Sequence, residues 1–348
     1  MSYPFRLYGL IPGIDRFRYT YRDEYLKAVI EMARLADEYH YTGSLIHYNH
    51  QVITPWILAS TIIQQTAHHI PLIALQPASM PPLTVAKMIE SFAYLFGRPV
   101  SLNIVAGAAR TELEAIGDTV GHDERYERMR EYIEIIRFLC MGENVTYRGK
   151  YYTVKDLRLK PGIAADMLPR IFIAGSSPAG IQVALDVADV VVTHPQPTDL
   201  FKQHQVDQIK TARVSIGIRL GIIARPSAEA AWTEAWQRFP PSRKGRIRTM
   251  MQKNSESQWT KDLAHLASER EVYDEVFWLG AYHSGNANCP YLVGSYDQVA
   301  AYLGRYLALG TQDILVDGPL TREEFDHTDK VFQKIGTPSV NGSDAPRS

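Results

Sequence analysis

The sequence predicts an α/β fold, a single (β/α)8 TIM barrel with insertions. Three observations carry this. Short apolar runs alternate with helical patterns eight times along the chain. Several of those runs are apolar at nearly every position, as strands buried on both faces are. The length, 348 residues, is one that such barrels reach as a single domain. Right-handed βαβ crossovers repeated in this way close on themselves and leave no exposed sheet edge.

The elements follow in order. Residues 5–10 form the first strand, and the helix over 23–39 sets Tyr25, Leu26, Val29, Met32, Ala33 and Ala36 at three- and four-residue steps. A short strand over 43–46 precedes a helix that starts at Pro55, a residue suited to a first turn. Strand 72–75 leads into helix 84–95, and strand 100–105 into helix 124–139. Residues 171–174, 190–193, 214–224 and 313–316 supply the remaining strands, with helices between them.

Two stretches break the rhythm. Residues 144–169 hold a hairpin, with strands over 145–147 and 151–154 about Arg148-Gly149-Lys150. Residues 240–290 precede the last helix–strand unit and are long and polar, mixing Arg243, Lys244, Arg246 and Arg248 with Met250 and Met251. An insertion of that length in a compact barrel is expected to be a lid or a disordered loop. The barrel domain is therefore read as 1–336, with the lid-like insertion at about 240–290, and 337–348 as a disordered tail rich in Ser, Gly, Asp and Pro.

Composition narrows the function. With 37 basic and 38 acidic residues there is no electrostatic case for nucleic acid, and a small-molecule substrate is expected. No run approaches the ~18 apolar residues of a membrane span, and the N-terminus lacks a signal-peptide pattern, so a cytoplasmic protein is expected. Cys140 sits in an apolar stretch and reads as a core residue. His68 and His69 are adjacent, so on a helix they diverge, and neither HxH nor HExxH occurs; no metal site is expected.

Barrel chemistry sits at the C-terminal ends of the strands. There the sequence offers His47-Tyr48-Asn49-His50, Gln76-Pro77, Asn103 through Ala108, Gly175-Ser176-Ser177, His194-Pro195 and Arg219 onward. Gly175-Ser176-Ser177 precedes a helix, where free N–H groups, the positive dipole end and hydroxyl donors suit a phosphate, though an ordinary helix cap needs no more. Small residues after Asn103 leave room for a flat ring whose polar edge the amide can meet. His122 and Asp123 open a helix that carries Tyr126.

Taken together, Ala74-Leu75-Gln76-Pro77, Leu102-Asn103-Ile104-Val105-Ala106-Gly107, Asp123-Glu124-Arg125-Tyr126, the hairpin and Ala174-Gly175-Ser176-Ser177 occur in an order that resembles the luciferase-like flavin monooxygenases, within them the alkanesulfonate monooxygenase branch. The resemblance covers nearly the whole chain. It implies a two-component enzyme that uses reduced FMN, supplied by a separate NAD(P)H-dependent flavin reductase, with O2 as co-substrate, and that assembles as a homodimer or homotetramer. It places Asn103, Tyr126, His122 and Gln76 on the flavin, and Gly175, Ser176 and Ser177 at its phosphate. A lid that excludes water fits, because water and stray protons discharge activated oxygen before transfer.

The departures bear on substrate. The branch's cysteine falls at Val52, its Arg-x-His becomes Arg219-Leu220-Gly221, its lid arginine falls at Gly285, and a late tyrosine near Pro319. A sulfonate needs fixed cations, so the expected substrate is another small organic molecule or a biosynthetic intermediate. His50, His47 and Arg219 remain as catalytic candidates, with a histidine as proton donor and Arg219 as an orienting charge. A deazaflavin-dependent oxidoreductase and a non-catalytic flavin-binding barrel stay open.

Overall fold

A computed structural model describes residues 3–12, 22–107, 110–209 and 213–335. The tail 337–348 and Ala108 lie outside the described residues. In chain order the elements are β1 Arg6–Leu10, α1 Arg22–Glu38, β2 Gly43–Ile46, α2 Pro55–Gln65, β3 Ile70–Leu75, α3 Pro82–Phe96, β4 Ser101–Ile104, α4 Arg110–Ala115 and α5 His122–Cys140. Next come the hairpin β5 Val145–Arg148 and β6 Thr153–Leu157, then β7 Ile171–Ala174, α6 Pro178–Val187 and β8 Val190–Thr193. Helices α7 Thr198–Phe201 and α8 Asp207–Ile209 flank a π turn, and lead to β9 Ser215–Arg225 and α9 Ala228–Arg238. The insertion holds α10 Arg243–Gln252, α11 Gln258–Glu269, β10 Val272–Tyr273, β11 Phe277–Trp278 and α12 Gly280–His283. Finally β12 Tyr291–Ser295, α13 Tyr296–Ala308, β13 Thr311–Asp317 and α14 Arg322–Ile335 complete the described chain.

The eight strands expected from sequence close the barrel, in the parallel order β13-β1-β2-β3-β4-β7-β8-β9 with β9 returning to β13. Cysteine 140 is fully buried in the helix layer, and burial pushes its thiol up to about 12. None of the described helices is long and apolar enough to cross a membrane. Register decides which side chains enter the barrel. Arg6 pairs with Asp313 and Tyr8 with Leu315, while Leu315 pairs with Arg219 on β9 and Leu72 with Ser101 on β4. Because strand side chains alternate, one parity runs up the inside: Tyr8, Leu45, Leu72, Ala74, Phe172, Val190, Val192 and Leu315 form the barrel's own apolar cluster. The opposite parity, with Leu7, Ile46, Ile73 and Ile104, packs against the helices.

Two expectations need correction. The second hairpin strand is Thr153–Leu157, not 151–154. The Glu131 carboxylate takes the N–H groups of Lys150, Tyr151 and Tyr152 at 2.7, 3.0 and 3.1 Å, so the start of that segment serves a side chain. Gly149 permits this approach; a Cβ there would lie 2.2 Å from the carboxylate. Of the two readings of the insertion, a lid or a disordered loop, the disordered loop gives way, because the segment is folded. Its charges had hidden a buried face: Leu263, Ala264, Leu266 and Ala267 of α11 recur at helical spacing and are buried. Trp278 is fully buried against Trp236 and Phe239, and with Tyr291 and Cys289 it centres a second core. Strand β12, also unforeseen, pairs in parallel with the upper half of β9 from Tyr291↔Gly221 to Ser295↔Arg225.

Candidate active site

The interior parity that fills the barrel continues past the strand ends and builds a cavity of ≈ 320 Å³. Leu45, Ala74, Val192 and Leu315 form its floor; His47, Gln76, Ser176 and His194 stand one inward-facing position higher, and Arg219 lines the wall beside Leu315. Asn103 of β4 stands level with Ala74, and Val105, just past that strand, lines the wall above it. The insertion supplies the roof, with Glu256, Ser257, Gln258 and Trp259, while Asn288 enters from the loop before β12. Glu256 is tied to the buried Arg125 of α5 at 2.9 Å, which fixes the roof to the barrel.

Polar atoms in this ring lack partners. Gln76 Oε1, Asn103 Oδ1, Ser176 Oγ, His194 Nε2 and Arg219 Nε are each buried and make no hydrogen bond. A buried unsatisfied group costs about 1–3 kcal/mol, so five around one cavity describe a surface shaped for a polar ligand. Their chemistry fits a flavin: amide, imidazole and guanidinium groups line a cavity where the mixed donors and acceptors of an isoalloxazine edge can satisfy them.

The N-terminus of α6 lies on one side of this cavity. Ser177 is its N-cap and accepts the Gly180 N–H at 3.2 Å. Beside it, burial holds the Tyr126 hydroxyl above its ordinary range, partly offset by the Ser177 side chain. Glycines clear the space: a Cβ on Gly175 would stand 2.9 Å from the Tyr126 hydroxyl, and one on Gly180 3.0 Å from its ring. Ser177 is thus committed to capping the Gly180 N–H, while the neighbouring Ser176 hydroxyl makes no hydrogen bond and is free to donate. His122 stands edge-on to Tyr126 at 5.3 Å, with Nδ1 2.7 Å from Asp123.

Opposite this, Arg219 donates to Asp317 Oδ2 at 2.8 Å, and the same oxygen accepts from Cys289 Sγ at 3.3 Å. Burial opposes the guanidinium charge, but Asp317 outweighs it and holds Arg219 above its usual range. Burial, then the Arg219 charge, lowers His47 below the ordinary histidine value despite Asp317, and lowers His194 further. Both imidazoles are therefore neutral at pH 7, and better suited to accept or relay a proton than to arrive charged. His194 stacks on Trp259 at 3.9 Å and 21°.

Of the residues expected from sequence, His47, Gln76, Asn103, His122, Tyr126, Gly175, Ser176, Ser177 and Arg219 share this one cavity. His50 does not join its wall. The chain turns after β2, where the Asn49 side chain accepts the Gln51 N–H, and His50 packs edge-on to Tyr48 at 5.9 Å. At the place of the expected lid arginine, the Gly285 carbonyl accepts from Arg248 at 2.7 Å, and Arg248 also holds Asn288 at 2.9 Å. Gly221 is required where it is: a Cβ there would fall 2.2 Å from the Tyr291 ring. Asp317 was missed as a site residue, and His194 was read at its strand end but given no role; both follow from parity, two residues beyond Leu315 and Val192. Trp259 carries no such signal, because nothing in an insertion helix states which strand end it will cover.

The luciferase-like monooxygenase family model matches residues 11–313. The chain is 43% identical over 333 residues to the 4-(gamma-L-glutamylamino)butanoyl-[BtrI acyl-carrier protein] monooxygenase BtrO of Niallia circulans, covering 95% of this chain and 97% of that protein. Among solved structures, EDTA monooxygenase (EmoA) from Chelativorans sp. BNC1 superposes with a TM-score of 0.74 at 16% identity, covering 95% of this chain and 94% of that one. Riboflavin lyase (RcaE) with modified FMN and riboflavin gives 0.75 at 15%, covering 98% and 94%. At such identities these two speak for the fold.

Proposed function

The chain belongs to the luciferase-like monooxygenase family, and from that premise we propose that it binds reduced FMN in the strand-end cavity and oxygenates an acyl group carried on an acyl carrier protein. The observation that carries the cofactor half is the ring of buried, unpartnered polar atoms beside the α6 N-terminus. Gln76 and Asn103 would meet the polar edge of the ring system, and Ser176 with the α6 amides its phosphate. When bound, reduced flavin would supply the two electrons with which one oxygen atom of O2 enters the acyl group and the other leaves as water.

This chain's residues do the rest. Trp259, Gln258 and Glu256 roof the cavity and keep water out. His47, neutral and one position above the floor, accepts and returns a proton at its imidazole nitrogen. Arg219, fixed by Asp317, holds negative charge that develops on a carbonyl or oxygen atom. The carrier half rests on the 43% identity to BtrO along almost the full length of both chains. The electrons would come from a separate flavin reductase.

The test has two arms. Anaerobic titration should show tight binding of reduced FMN, with reduced deazaflavin weaker. The BtrI carrier protein bearing a 4-(γ-L-glutamylamino)butanoyl thioester is then incubated with the protein, FMN, a flavin reductase, NAD(P)H and O2. Intact mass spectrometry should show the gain of one oxygen atom on the acyl group. Preference for the deazaflavin, or flavin binding without any oxygenated product, overturns the proposal.

A further inference from the structure

Helix α10 is built inside out. Its buried residues are Gly245 and Thr249, while Ile247, Met250 and Met251 are 51%, 67% and 73% exposed. A surface helix normally buries its large apolar side chains. Here a Cβ on Gly245 would fall 2.2 Å from the Ser284 backbone, so close helix-to-turn packing claims the small stripe and turns the apolar one outward. Three- and four-residue spacing sets Arg243, Lys244, Ile247, Met250 and Met251 along that outer face. The helix carries Arg243, Lys244, Arg246 and Arg248 with no acidic residue, in a chain whose net charge is -1. Among the described residues, Arg243, Lys244 and Arg246 enter no ion pair.

The helix also reaches the cavity wall through Arg248. The segment after α10 runs directly into the roof residues Glu256 to Trp259, and Arg248 grips Asn288 in the cavity wall. A partner seated on α10 therefore sits beside the entrance to the chemistry. Charge selects its kind: an exposed apolar stripe framed by unpaired cations complements an acidic surface with an apolar stripe of its own. Methionine suits such a face, because its flexible thioether adapts to the partner.

We propose that the outer face of α10 docks the acidic helical surface of the acyl carrier protein, placing its prosthetic arm at the cavity mouth. This rests on the carrier-bound reading of the substrate above. The arm and acyl group would enter the cavity, while the carrier body stays on α10, so docking and chemistry are separable.

The experiment compares two probes in steady state: the 4-(γ-L-glutamylamino)butanoyl thioester on BtrI, and the same acyl group on free pantetheine. The variants are R243E/K244E/R246E and M250D/M251D, all at exposed positions outside the cavity wall. For the carrier probe, KM should rise about tenfold or more in each variant, with kcat unchanged at saturation, and the effect in wild type should weaken with salt. For the pantetheine probe, kcat/KM should stay within about twofold, which also shows that the variants fold. Equal rises for both probes, or no rise for the carrier probe, overturn the docking face while leaving the carrier reading intact. Failure of wild type to oxygenate the carrier probe overturns both. A change in oligomeric state in the variants, or binding of wild type to anionic phospholipid vesicles that the variants lose, assigns the face to a second copy or to a membrane and overturns the proposal.

Discussion

The two ends of the barrel interior are made by the same strands and treat buried polarity in opposite ways. At the N-terminal end, Asp313 is fully buried and its carboxylate is saturated: Arg6 donates at 2.8 and 3.1 Å, and Arg170 at 2.6 and 3.2 Å. Arg170 also donates to the Tyr8 hydroxyl and lies over the Phe172 ring. At the C-terminal end, Gln76, Asn103 and His194 are buried and Ser176 is partly buried, and each has a buried atom with no partner. Composition alone does not separate these ends, since both are polar. Satisfaction does. One end is a closed network that holds strands together, and the other is an unfinished network that a ligand completes.

Breaking the closed end should have the largest effect. Asp313→Ala leaves two partly buried guanidinium groups without their counter-charge, and should lower stability by about 3–4 kcal/mol. The urea midpoint should fall with an unchanged m-value, while the remaining folded protein keeps its flavin affinity. A loss of flavin binding without loss of stability would invert the comparison.

At the open end His47→Ala should reduce oxygenated product by about 100-fold, or about 2.7 kcal/mol, with flavin affinity near wild type. His50→Ala, outside the cavity wall, should leave turnover unchanged; the reverse result would move the proton relay off the wall. Burial and Arg219 place the His47 pKa below its ordinary 6.5. The neutral imidazole therefore survives as pH falls past 6.5, and the acid limb of kcat/KM should lie below that value and vanish in His47→Gln.

Ser176 and Ser177 sharpen the contrast within two adjacent residues. Ser176→Ala should weaken FMN binding by about 2 kcal/mol, leave riboflavin binding unchanged, and leave the stability of the free protein unaltered. Ser177→Ala removes the α6 cap and should lower stability by about 1 kcal/mol, the smallest effect in the set. Equal losses for FMN and riboflavin in Ser176→Ala would make the hydroxyl structural.

Most of the barrel was readable from sequence because its strands announce themselves: runs such as Leu72-Ile73-Ala74-Leu75 and Val190-Val191-Val192 are too apolar to lie anywhere but between two layers. The strand-end rule then led to Gln76, Asn103, Ser176 and Arg219. Reading missed what depends on a partner far away in sequence. The charges of α10 masked Trp278 and β12, whose burial depends on Phe239 and on the upper half of β9. Trp259 reaches His194 only because the insertion folds back over the barrel. A partly buried ion pair such as Arg219–Asp317 likewise joins strands about a hundred residues apart.

The glycine at Gly221 bears on how such enzymes diverge. In the sulfonate branch a histidine is expected at that place, and the absence could be mistaken for a simple deletion of function. The space is instead taken by the Tyr291 ring, which packs against Phe239 at 5.0 Å. Restoring histidine alone would drive a side chain into an aromatic ring, and truncating Tyr291 alone would open a hole in the second core. The two positions are epistatic, so a lineage can pass between these active sites only through a paired exchange or a poorly folded intermediate.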